Sequence, residues 1–213
     1  MSTPPAIVDQ IRSVCDVSRE TLGRLEHLVA GVEKWSRSIN LVADCRPEII
    51  WERHVLDSVQ LFPLNTDGGL WCDLGAGGGF PGLVVAVLAR EFNPAAKLTL
   101  VESDRRKAAF LALMSRELDL NVSVAAKRAE TLEPQGATTV SARALAPLPR
   151  LLGLVHRHLA PGGVALLPKG RTFAEEIAHA RPGWAFTVET IPSIISPQSR
   201  ILRVTDLRSS DAS

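Results

Sequence analysis

The residues with the clearest chemical potential lie between Asp73 and Gly82, in the run Asp-Leu-Gly-Ala-Gly-Gly-Gly-Phe-Pro-Gly. The apolar residues 70–72 before this run predict the end of a buried strand, and residues 83–89 after it predict a buried helix. Glycines at such a junction let the backbone turn sharply and lie directly against a ligand. The free N–H groups at the start of the helix would face that ligand. The pattern therefore predicts a binding loop for a nucleotide-like molecule.

Two spacings of the glycines in this loop favour different ligands. Gly77, Gly79 and Gly82 match the dinucleotide fingerprint G-x-G-x-x-G. The alternative pattern D-x-G-x-G-x-G starts at Asp73 and runs to Gly79. It places a carboxylate at the strand end, where that carboxylate would repel a pyrophosphate. A ligand with an ammonium group gains from that acid instead. Since S-adenosylmethionine carries an ammonium, an adenosine and no phosphate, the loop favours it over NAD.

A second carboxylate, Glu102, ends the next predicted strand, residues 97–102. Its distance beyond the glycines is that of a ribose-binding carboxylate. This acid does not separate S-adenosylmethionine from NAD, because both carry a free ribose. The same segment also fits a helix start, with Ser103 or Asp104 as the N-cap.

Composition and charge narrow the class of protein. The chain has 213 residues, of which 46% are hydrophobic and 22% charged, a globular profile with room for one domain and an extension. No apolar run reaches the length of a membrane span, and residues 1–9 lack the pattern of a signal peptide, so we expect a cytoplasmic protein without a membrane partner. Cysteines and histidines show no metal-ligand spacing, and no metal site is predicted. A net charge of +1 leaves room only for a local basic face.

Alternation of strand and helix patterns predicts an α/β fold. Residues 1–64 predict a helical N-terminal extension, 65–208 a Rossmann-like domain and 209–213 a disordered tail. The predicted strands are 70–73, 97–102, 121–125, 138–142, 163–168, 184–190 and 200–206, and the clearest helices between them are 105–119 and 147–159. Such alternation indicates a mostly parallel seven-stranded sheet covered on both faces.

Four charged residues lie at or just after predicted strand ends: Asp73, Glu102, Arg143 and Lys169. Ligands of parallel sheets bind beyond the carboxyl ends of the strands. Their shared position predicts that the four residues contribute to one site.

Several short motifs, taken in order, resemble those of the RsmG family, also called glucose-inhibited division protein B (GidB), of bacterial 16S rRNA guanine-N7 methyltransferases. The motifs are WSRSINL (35–41), RHVLDS (53–58), the Asp73–Gly82 loop, Glu102-Ser103, Lys107 with Phe110-Leu111, SARA (141–144), Pro147-Leu148 and PKG (168–170). The resemblance covers residues from about 22 to 203. It implies a class I S-adenosylmethionine-dependent methyltransferase fold, with S-adenosylmethionine as donor and guanine-527 in the 530 loop of 16S rRNA as acceptor.

Residue roles follow from the resemblance together with the strand-end positions. The candidate donor-binding residues are Asp73, Gly75, Gly77, Gly79, Phe80, Glu102, Ala129, Glu130 and Arg143. The candidate RNA-binding residues are Asn40, His54, Lys169, Arg171 and Arg200, and the candidate catalytic residues are Arg143 and Lys169. The implied partner is 16S rRNA, in the small ribosomal subunit or an assembly intermediate, and a monomer is expected.

The chemistry is compatible with these residues. Methyl transfer depends chiefly on alignment of donor and acceptor, and guanine N7 carries a lone pair and no proton, so no general base is required. Arg143 could stabilise guanine O6 or hold the donor carboxylate. The chain has 0 Tyr, which excludes an Asn-Pro-Pro-Tyr loop for exocyclic amines, and no Pro-Cys pair, which removes the usual nucleophile for pyrimidine C5.

Three other functions stay open at this point. The first is a nicotinamide-dependent oxidoreductase, which Asp73 disfavours. The second is a methyltransferase acting on another RNA or on a small molecule. The third is a non-catalytic binding protein, which the presence of both Asp73 and Glu102 disfavours.

Overall fold

The computed structural model describes residues 3–65 and 68–210. Up to residue 64 the regular elements of the described chain are helical, with an irregular segment at residues 37–46. The helical elements of this part are α1 (Pro5–Val14), α2 (Arg19–Ser36), α3 (Pro47–Ile50), a π-helical turn (Trp51–Val55), α4 (Leu56–Val59) and a 3-10 turn (Phe62–Leu64). Ser18 caps α2, since its hydroxyl accepts a hydrogen bond from the N–H of Thr21 at 3.2 Å.

Strands and helices then alternate to the end of the described chain. The elements are β1 (Leu70–Leu74), α5 (Gly82–Phe92), β2 (Lys97–Val101), α6 (Arg105–Glu117), β3 (Val122–Ala125), β4 (Ala137–Ala142), α7 (Leu148–His158), β5 (Leu159–Lys169), α8 (Phe173–Ala180), β6 (Trp184–Pro192) and β7 (Arg200–Ser209). The seven strands form one sheet in the order β3-β2-β1-β4-β5-β7-β6. Pairs among the first five strands are parallel, and β7 is antiparallel to both of its neighbours.

The sheet is covered on both faces by hydrophobic residues. On one face, α5 and α6 share a core with buried residues of α1, α2 and α4, such as Ile11, Leu28 and Val59. On the other face, α7 packs against β1, β4, β5 and β7 in a second core. The N-terminal helices thus contribute to the same core as the sheet.

The helical run from Pro47 to Val59 is interrupted by its π-helical turn. Here the N–H of Leu56 donates to the carbonyl of Trp51, five residues back. The carbonyl of Arg53 accepts a hydrogen bond from Arg143 at 3.0 Å, and that of His54 accepts one from the Ser58 hydroxyl at 2.6 Å. Single wide turns of this kind are frequent at functional sites.

All seven predicted strands and both clearest helices are confirmed, with differences at their ends. β5 begins at Leu159 rather than at residue 163, because Pro161, Gly162 and Gly163 continue the strand instead of forming a turn. Ser209 belongs to β7 and not to the predicted tail. Residues 211–213 of that tail, and residues 66–67 of the predicted joint, lie outside the described residues. Within the described part of the chain, no helix has the length and apolar character needed to cross a membrane.

Candidate functional site

The candidate site lies where the order of the strands reverses, between β1 and β4. Gly75 follows β1, Glu102 follows β2, Arg143 follows β4 and Lys169 ends β5. The carboxyl ends of these four parallel strands meet at one edge of the sheet. In open α/β sheets, the crevice at such a reversal is where ligands bind. The predicted strand-end positions of Glu102, Arg143 and Lys169 are therefore confirmed, whereas Asp73 lies within β1, one residue before its end.

The first cavity at this edge, here called the glycine-loop cavity, has a volume of about 320 Å³. Six of the nine predicted donor-binding residues line it: Gly75, Gly77, Glu102, Ala129, Glu130 and Arg143. Glu102 organises its wall, since its carboxylate accepts hydrogen bonds from the N–H of Gly77 at 2.8 Å and of Asp104 at 2.7 Å. The same carboxylate thereby joins the glycine loop to the start of α6, where Asp104 is the N-cap.

The other three predicted donor-binding residues are not part of the described wall of this cavity: Asp73, Gly79 and Phe80. Asp73 is fully buried, and its carboxylate accepts hydrogen bonds from the hydroxyl of Ser141 at 2.7 Å and the N–H of Gly82 at 3.0 Å. The carboxylate thereby joins β1 to the start of α5, through the N–H of Gly82. Contact between Asp73 and a ligand ammonium stays a prediction.

The environment of Asp73 is costly for a charge. Burial raises the pKa of its carboxyl to about 7, although the hydrogen bonds from Ser141 and Gly82 act in the opposite direction. The indole N–H of Trp71 donates to the hydroxyl of Ser141 at 2.9 Å, which extends the network along β1 and β4. Only glycine fits at position 82, because a Cβ there would lie 2.7 Å from the Asp73 carboxylate.

Arg143 is held by three acceptors from the helical run that contains the π-helical turn. Its guanidinium donates to the Arg53 carbonyl at 3.0 Å, to the Asp57 carboxylate at 3.4 Å and to His54 Nδ1 at 2.8 Å. The side chains of Arg143 and Asp57 are 20% and 18% exposed, so this ion pair is partly shielded from water. Gln60 also donates to Asp57, at 2.9 Å. The N-terminal helices thus orient the arginine of the sheet.

His54 is neutral in this arrangement. Burial, together with the nearby charges of Arg143 and Arg53, lowers its pKa to about 4. Because a guanidinium only donates hydrogen bonds, Nδ1 of His54 is the acceptor and the ring proton lies on Nε2. The imidazole stacks on Phe80 at 5.0 Å between ring centroids, and the Arg143 guanidinium lies 5.6 Å from the same ring. Phe80 thus supports both side chains from below.

A second cavity of about 740 Å³, here called the strand-end cavity, lies beside the first. Its wall includes Asp57, Lys169, Glu176 and Arg200. Residues 143–146 line both cavities and separate them. With Pro147, which lines only the second cavity, they form what we call the dividing loop, residues 143–147. Two binding spaces therefore share one wall, and Arg143 is part of it.

The predicted RNA-binding residues differ in how available their polar groups are. Asn40 and Arg171 are exposed, and the neighbour of Asn40, Leu41, lies against Gly78 of the glycine loop. Arg200 is half-buried, where it donates to two backbone carbonyls and lies 5.4 Å from the ring of Phe173. His54 faces Arg143, as described above.

Lys169, a candidate RNA-binding and catalytic residue, has a largely buried side chain. Its side chain is only 8% exposed, and its ammonium donates to the Glu176 carboxylate at 2.8 Å and to the Ala146 carbonyl at 3.2 Å. The ammonium of Lys169 is therefore neutralised by an internal ion pair with Glu176.

Sequence reasoning missed several residues of both cavities. On the glycine-loop cavity these include Lys107, Lys127, Arg128, Leu145 and Arg150, and on the strand-end cavity Asp57, Glu176, Ser193 and Ser199. Asp57 and Lys107 stand within motifs noted above, so their motifs carried a signal. No sequence signal marked Glu176, because it lies in the middle of the amphipathic helix α8.

The glycine-loop cavity fits S-adenosylmethionine by its chemistry. Gly75 and Gly77, both with positive φ, present bare backbone on its wall. Glu102 supplies the carboxylate suited to ribose hydroxyls, and apolar Ala129, Leu145 and Leu154 contribute to a wall that also carries charged residues. Together with the strand order and the antiparallel β7, this site defines a class I S-adenosylmethionine-dependent methyltransferase.

Comparison with known proteins gives the family. Residues 21–201 match the model of the GidB family, rRNA small subunit methyltransferase G, and the chain belongs to this family of S-adenosylmethionine-dependent guanine-N7 methyltransferases of 16S rRNA. The ribosomal RNA small subunit methyltransferase G of Cereibacter sphaeroides (strain ATCC 17023) is 50% identical over 197 residues, which cover 92% of this chain and 96% of the relative. That of Ruegeria sp. (strain TM1040) is 45% identical, covering 89% and 92%.

Solved structures with low sequence identity share the fold. A precorrin-6y C5,15-methyltransferase from Geobacter metallireducens aligns with a TM-score of 0.51 at 14% identity, over 79% of this chain and 92% of that one. The TYW2 protein of P. horikoshii, in complex with MeSAdo, aligns with a TM-score of 0.52 at 16% identity, over 73% and 62%. These alignments confirm the predicted fold class.

Proposed function

We propose that this protein transfers a methyl group to N7 of guanine-527, in the 530 loop of 16S rRNA, and that the guanine enters the strand-end cavity. The observation that carries the proposal is the shared wall. The glycine-loop cavity, assigned to the donor, and the strand-end cavity, assigned to the base, share residues 143–146 as a common wall. Two adjoining spaces of this kind suit a reaction that depends on alignment of two bound molecules.

On the donor side, we assign the ribose to Glu102 and the adenine to the segment with Ala129 and Glu130. Bound there, S-adenosylmethionine supplies an electrophilic methyl group on a sulfonium. Ala129 is held in place because its carbonyl accepts a hydrogen bond from the buried His158 at 2.8 Å. Glu130 lies at the rim, in an exposed ion pair with Arg150 at 3.0 Å. The contact of His158 with Ala129 preforms the adenine end of the cavity.

On the acceptor side, we assign to Arg143 the orientation of the guanine. Its guanidinium stands at the boundary of both cavities and carries a fixed positive charge. A cation there favours the electron-rich N7 and O6 edge of guanine over other base edges. Because N7 has no proton, the protein need not supply a base. The neutral His54 and the paired Asp57 accordingly hold Arg143 instead of accepting a substrate proton.

We assign RNA backbone contacts to the exposed polar residues around the two cavities. Arg171 and Asn40 are exposed near the strand ends, and Lys127 and Arg128 are exposed on the rim of the glycine-loop cavity. Arg200 closes the far side of the strand-end cavity. With a net charge of only +1, the chain must concentrate its positive charge locally to hold RNA. We also propose that the protein acts as a monomer in the cytoplasm, on the small ribosomal subunit or its assembly intermediate.

The test of the proposed reaction is to map the modified base. Small-subunit rRNA from a strain lacking the protein is incubated with labelled S-adenosylmethionine and purified protein, as free RNA and as assembled subunits. N7-methylguanosine is then detected by borohydride and aniline cleavage. We expect one new cleavage, at guanine-527. Label incorporation without that cleavage would contradict the assignment of the target atom and base.

A further inference from the structure

The dividing loop is under local strain. Ala144, its second residue, has a φ of +51°, a backbone conformation that residues with a side chain seldom adopt. Such a conformation persists only where the surroundings hold it. The next residue, Leu145, is 38% exposed, so burial of its own side chain does little to hold the loop. Contacts at the two ends of the loop must therefore stabilise this backbone conformation.

One end of the loop is held by the contacts of Arg143 described above. At the other end, the Ala146 carbonyl accepts a hydrogen bond from the Lys169 ammonium at 3.2 Å. The Glu176 carboxylate oxygen that pairs with Lys169 at 2.8 Å also accepts the N–H of Leu148, at 2.9 Å. Leu148 is the first residue of α7, where an N–H lacks a helical partner. Three elements, β5, α8 and α7, are thus joined directly behind the loop.

We propose that Lys169 and Glu176 form a positioning pair that holds the dividing loop, and that Glu176 is a positioning residue for methyl transfer. Only the turnover measurements of this proposal rest on the function proposed above, because the donor-binding measurements need no RNA. It assigns to Lys169 a role other than contact with an RNA phosphate. Both residues line the strand-end cavity, but among the described residues neither lines the glycine-loop cavity, so an effect of the pair on donor binding must act through the loop.

The loop transmits the position of the pair to the donor site. Leu145 packs over Gly75 so closely that a Cβ on the glycine would lie 2.7 Å from Leu145 Cδ1. Leu145 and Ala146 line both cavities. Release of Ala146 and Leu148 would therefore shift the wall of the donor space and the acceptor space together. Loss of the pair should lower donor affinity as well as turnover.

The test compares four single variants and one double variant of the full chain. Lys169→Ala, Glu176→Ala and their double variant remove the pair, while Glu176→Gln keeps an acceptor for the Leu148 N–H without the charge. Glu175→Gln is the matched control, because it makes the same charge change at an exposed position on the same helix. Calorimetry with S-adenosylmethionine and S-adenosylhomocysteine gives donor affinity without RNA. Methylation of free small-subunit rRNA gives kcat and KM for each variant that binds donor.

We expect Lys169→Ala and Glu176→Ala each to weaken donor binding at least about tenfold, as for loss of a charged hydrogen bond, and to lower kcat by roughly a hundredfold. The double variant should lose no more than either single variant, since partners in one interaction are not additive. Glu176→Gln should be intermediate and Glu175→Gln unchanged. The salt dependence of RNA binding should stay at the wild-type slope in all of them.

Two results would overturn the proposal. One is a Lys169→Ala variant with normal donor affinity and a salt slope reduced by about 0.7, the value for one lost phosphate contact on a single strand. The other is a Glu176→Ala variant that matches Glu175→Gln in donor affinity. Both rest on binding measurements, so they stand apart from failure of the proposed reaction, in which the wild-type protein binds donor but does not methylate the RNA.

Discussion

Arg143 depends on geometry more than on charge. Its guanidinium donates at once to a backbone carbonyl, a carboxylate and an imidazole, in directions that a single ammonium cannot reproduce. We therefore expect Arg143→Lys to keep the positive charge but lower kcat for rRNA methylation by roughly a hundredfold, the cost of a misplaced reacting group. Steady-state kinetics with small-subunit rRNA measure the effect.

Arg150→Lys provides the matched control for this substitution. Arg150 lines the same cavity, but its ion pair with Glu130 is exposed, and such pairs contribute little. We expect near-normal kcat in this variant. Equal losses in Arg143→Lys and Arg150→Lys would show that the arginine fork of Arg143 has no special role.

Asp73 predicts a pH dependence of stability. Its pKa of about 7 in the folded protein lies above the ordinary value of 3.8, so the folded state binds more protons between these values. The free energy of unfolding contributed by this group is therefore largest below pH 4 and declines as pH rises toward 7. Asp73→Asn cannot titrate and should lack this component.

Urea unfolding of wild type and Asp73→Asn between pH 4 and pH 8 measures the difference. We expect the stability of wild type relative to the variant to fall across the pH range 4 to 7 and to level off above it. A difference that rises with pH, or stays constant, would show that the carboxyl of Asp73 is not raised in pKa. Ser141→Ala, which removes one hydrogen bond to the carboxylate, should widen the decline.

At the scale of single residues, the sequence predicts positions better than partners. Glu102 and Arg143 were placed correctly because the carboxyl ends of parallel strands converge. The orientation of Asp73 depends on Ser141, which pairs with it across β1 and β4 although 68 residues separate them in sequence. The pairing of Lys169 depends likewise on where α8 packs. Such partners follow from tertiary packing, which no local pattern encodes.

Among the secondary-structure elements, the π-helical turn is the one that adapts a helix to the site. It leaves the Arg53 carbonyl available to Arg143 and lets His54 face the same guanidinium. A wide turn contains one residue more than a regular helical turn, so deletion of the exposed Glu52 should restore a regular helix and keep its flanks in register. We expect the deletion to abolish most turnover while the far-ultraviolet circular dichroism stays that of wild type.

Glu52→Ala is the control for the deletion, because it removes the same side chain and keeps the turn. We expect this substitution to leave methylation near the wild-type rate. If the deletion variant also methylated rRNA at that rate, the turn would not be what positions Arg143.

The strands were predictable and their arrangement was less so. The inner strands β1, β2 and β4 are identified by apolar segments between turns, because burial on both faces requires them to be apolar. The edge strands β3 and β6 are more exposed, and their β-branched residues identify them instead. The antiparallel insertion of β7 between β5 and β6 was not predicted beyond a mostly parallel sheet, since the direction of a strand leaves no mark in its hydrophobic pattern. The π-helical turn was not predicted, because its residues keep an ordinary helical spacing.

For the whole molecule, the division into a helical extension and a Rossmann-like domain stays a prediction, and the core argues that the two parts fold together. Residues such as Leu28, Trp51 and Val59 share one hydrophobic core with Leu83 and Leu88 of α5. The extension also supplies the groups that hold Arg143. Removal of residues 1–64 would expose the buried face of α5 to water, which costs stability in proportion to the apolar area exposed.

We therefore expect the full chain to unfold in a single cooperative thermal transition and a chain of residues 65–213 to show none. Circular dichroism melts of both proteins, with and without S-adenosylhomocysteine, test this expectation. The full chain should melt at a higher temperature with the ligand, because ligands that bind only the folded state stabilise it. The shortened chain should show no such shift, and adding back a separate chain of residues 1–64 should restore part of it. A shortened chain that melts cooperatively and responds to the ligand would show instead that the sheet and its own helices suffice for the donor site, with the extension serving only the acceptor side.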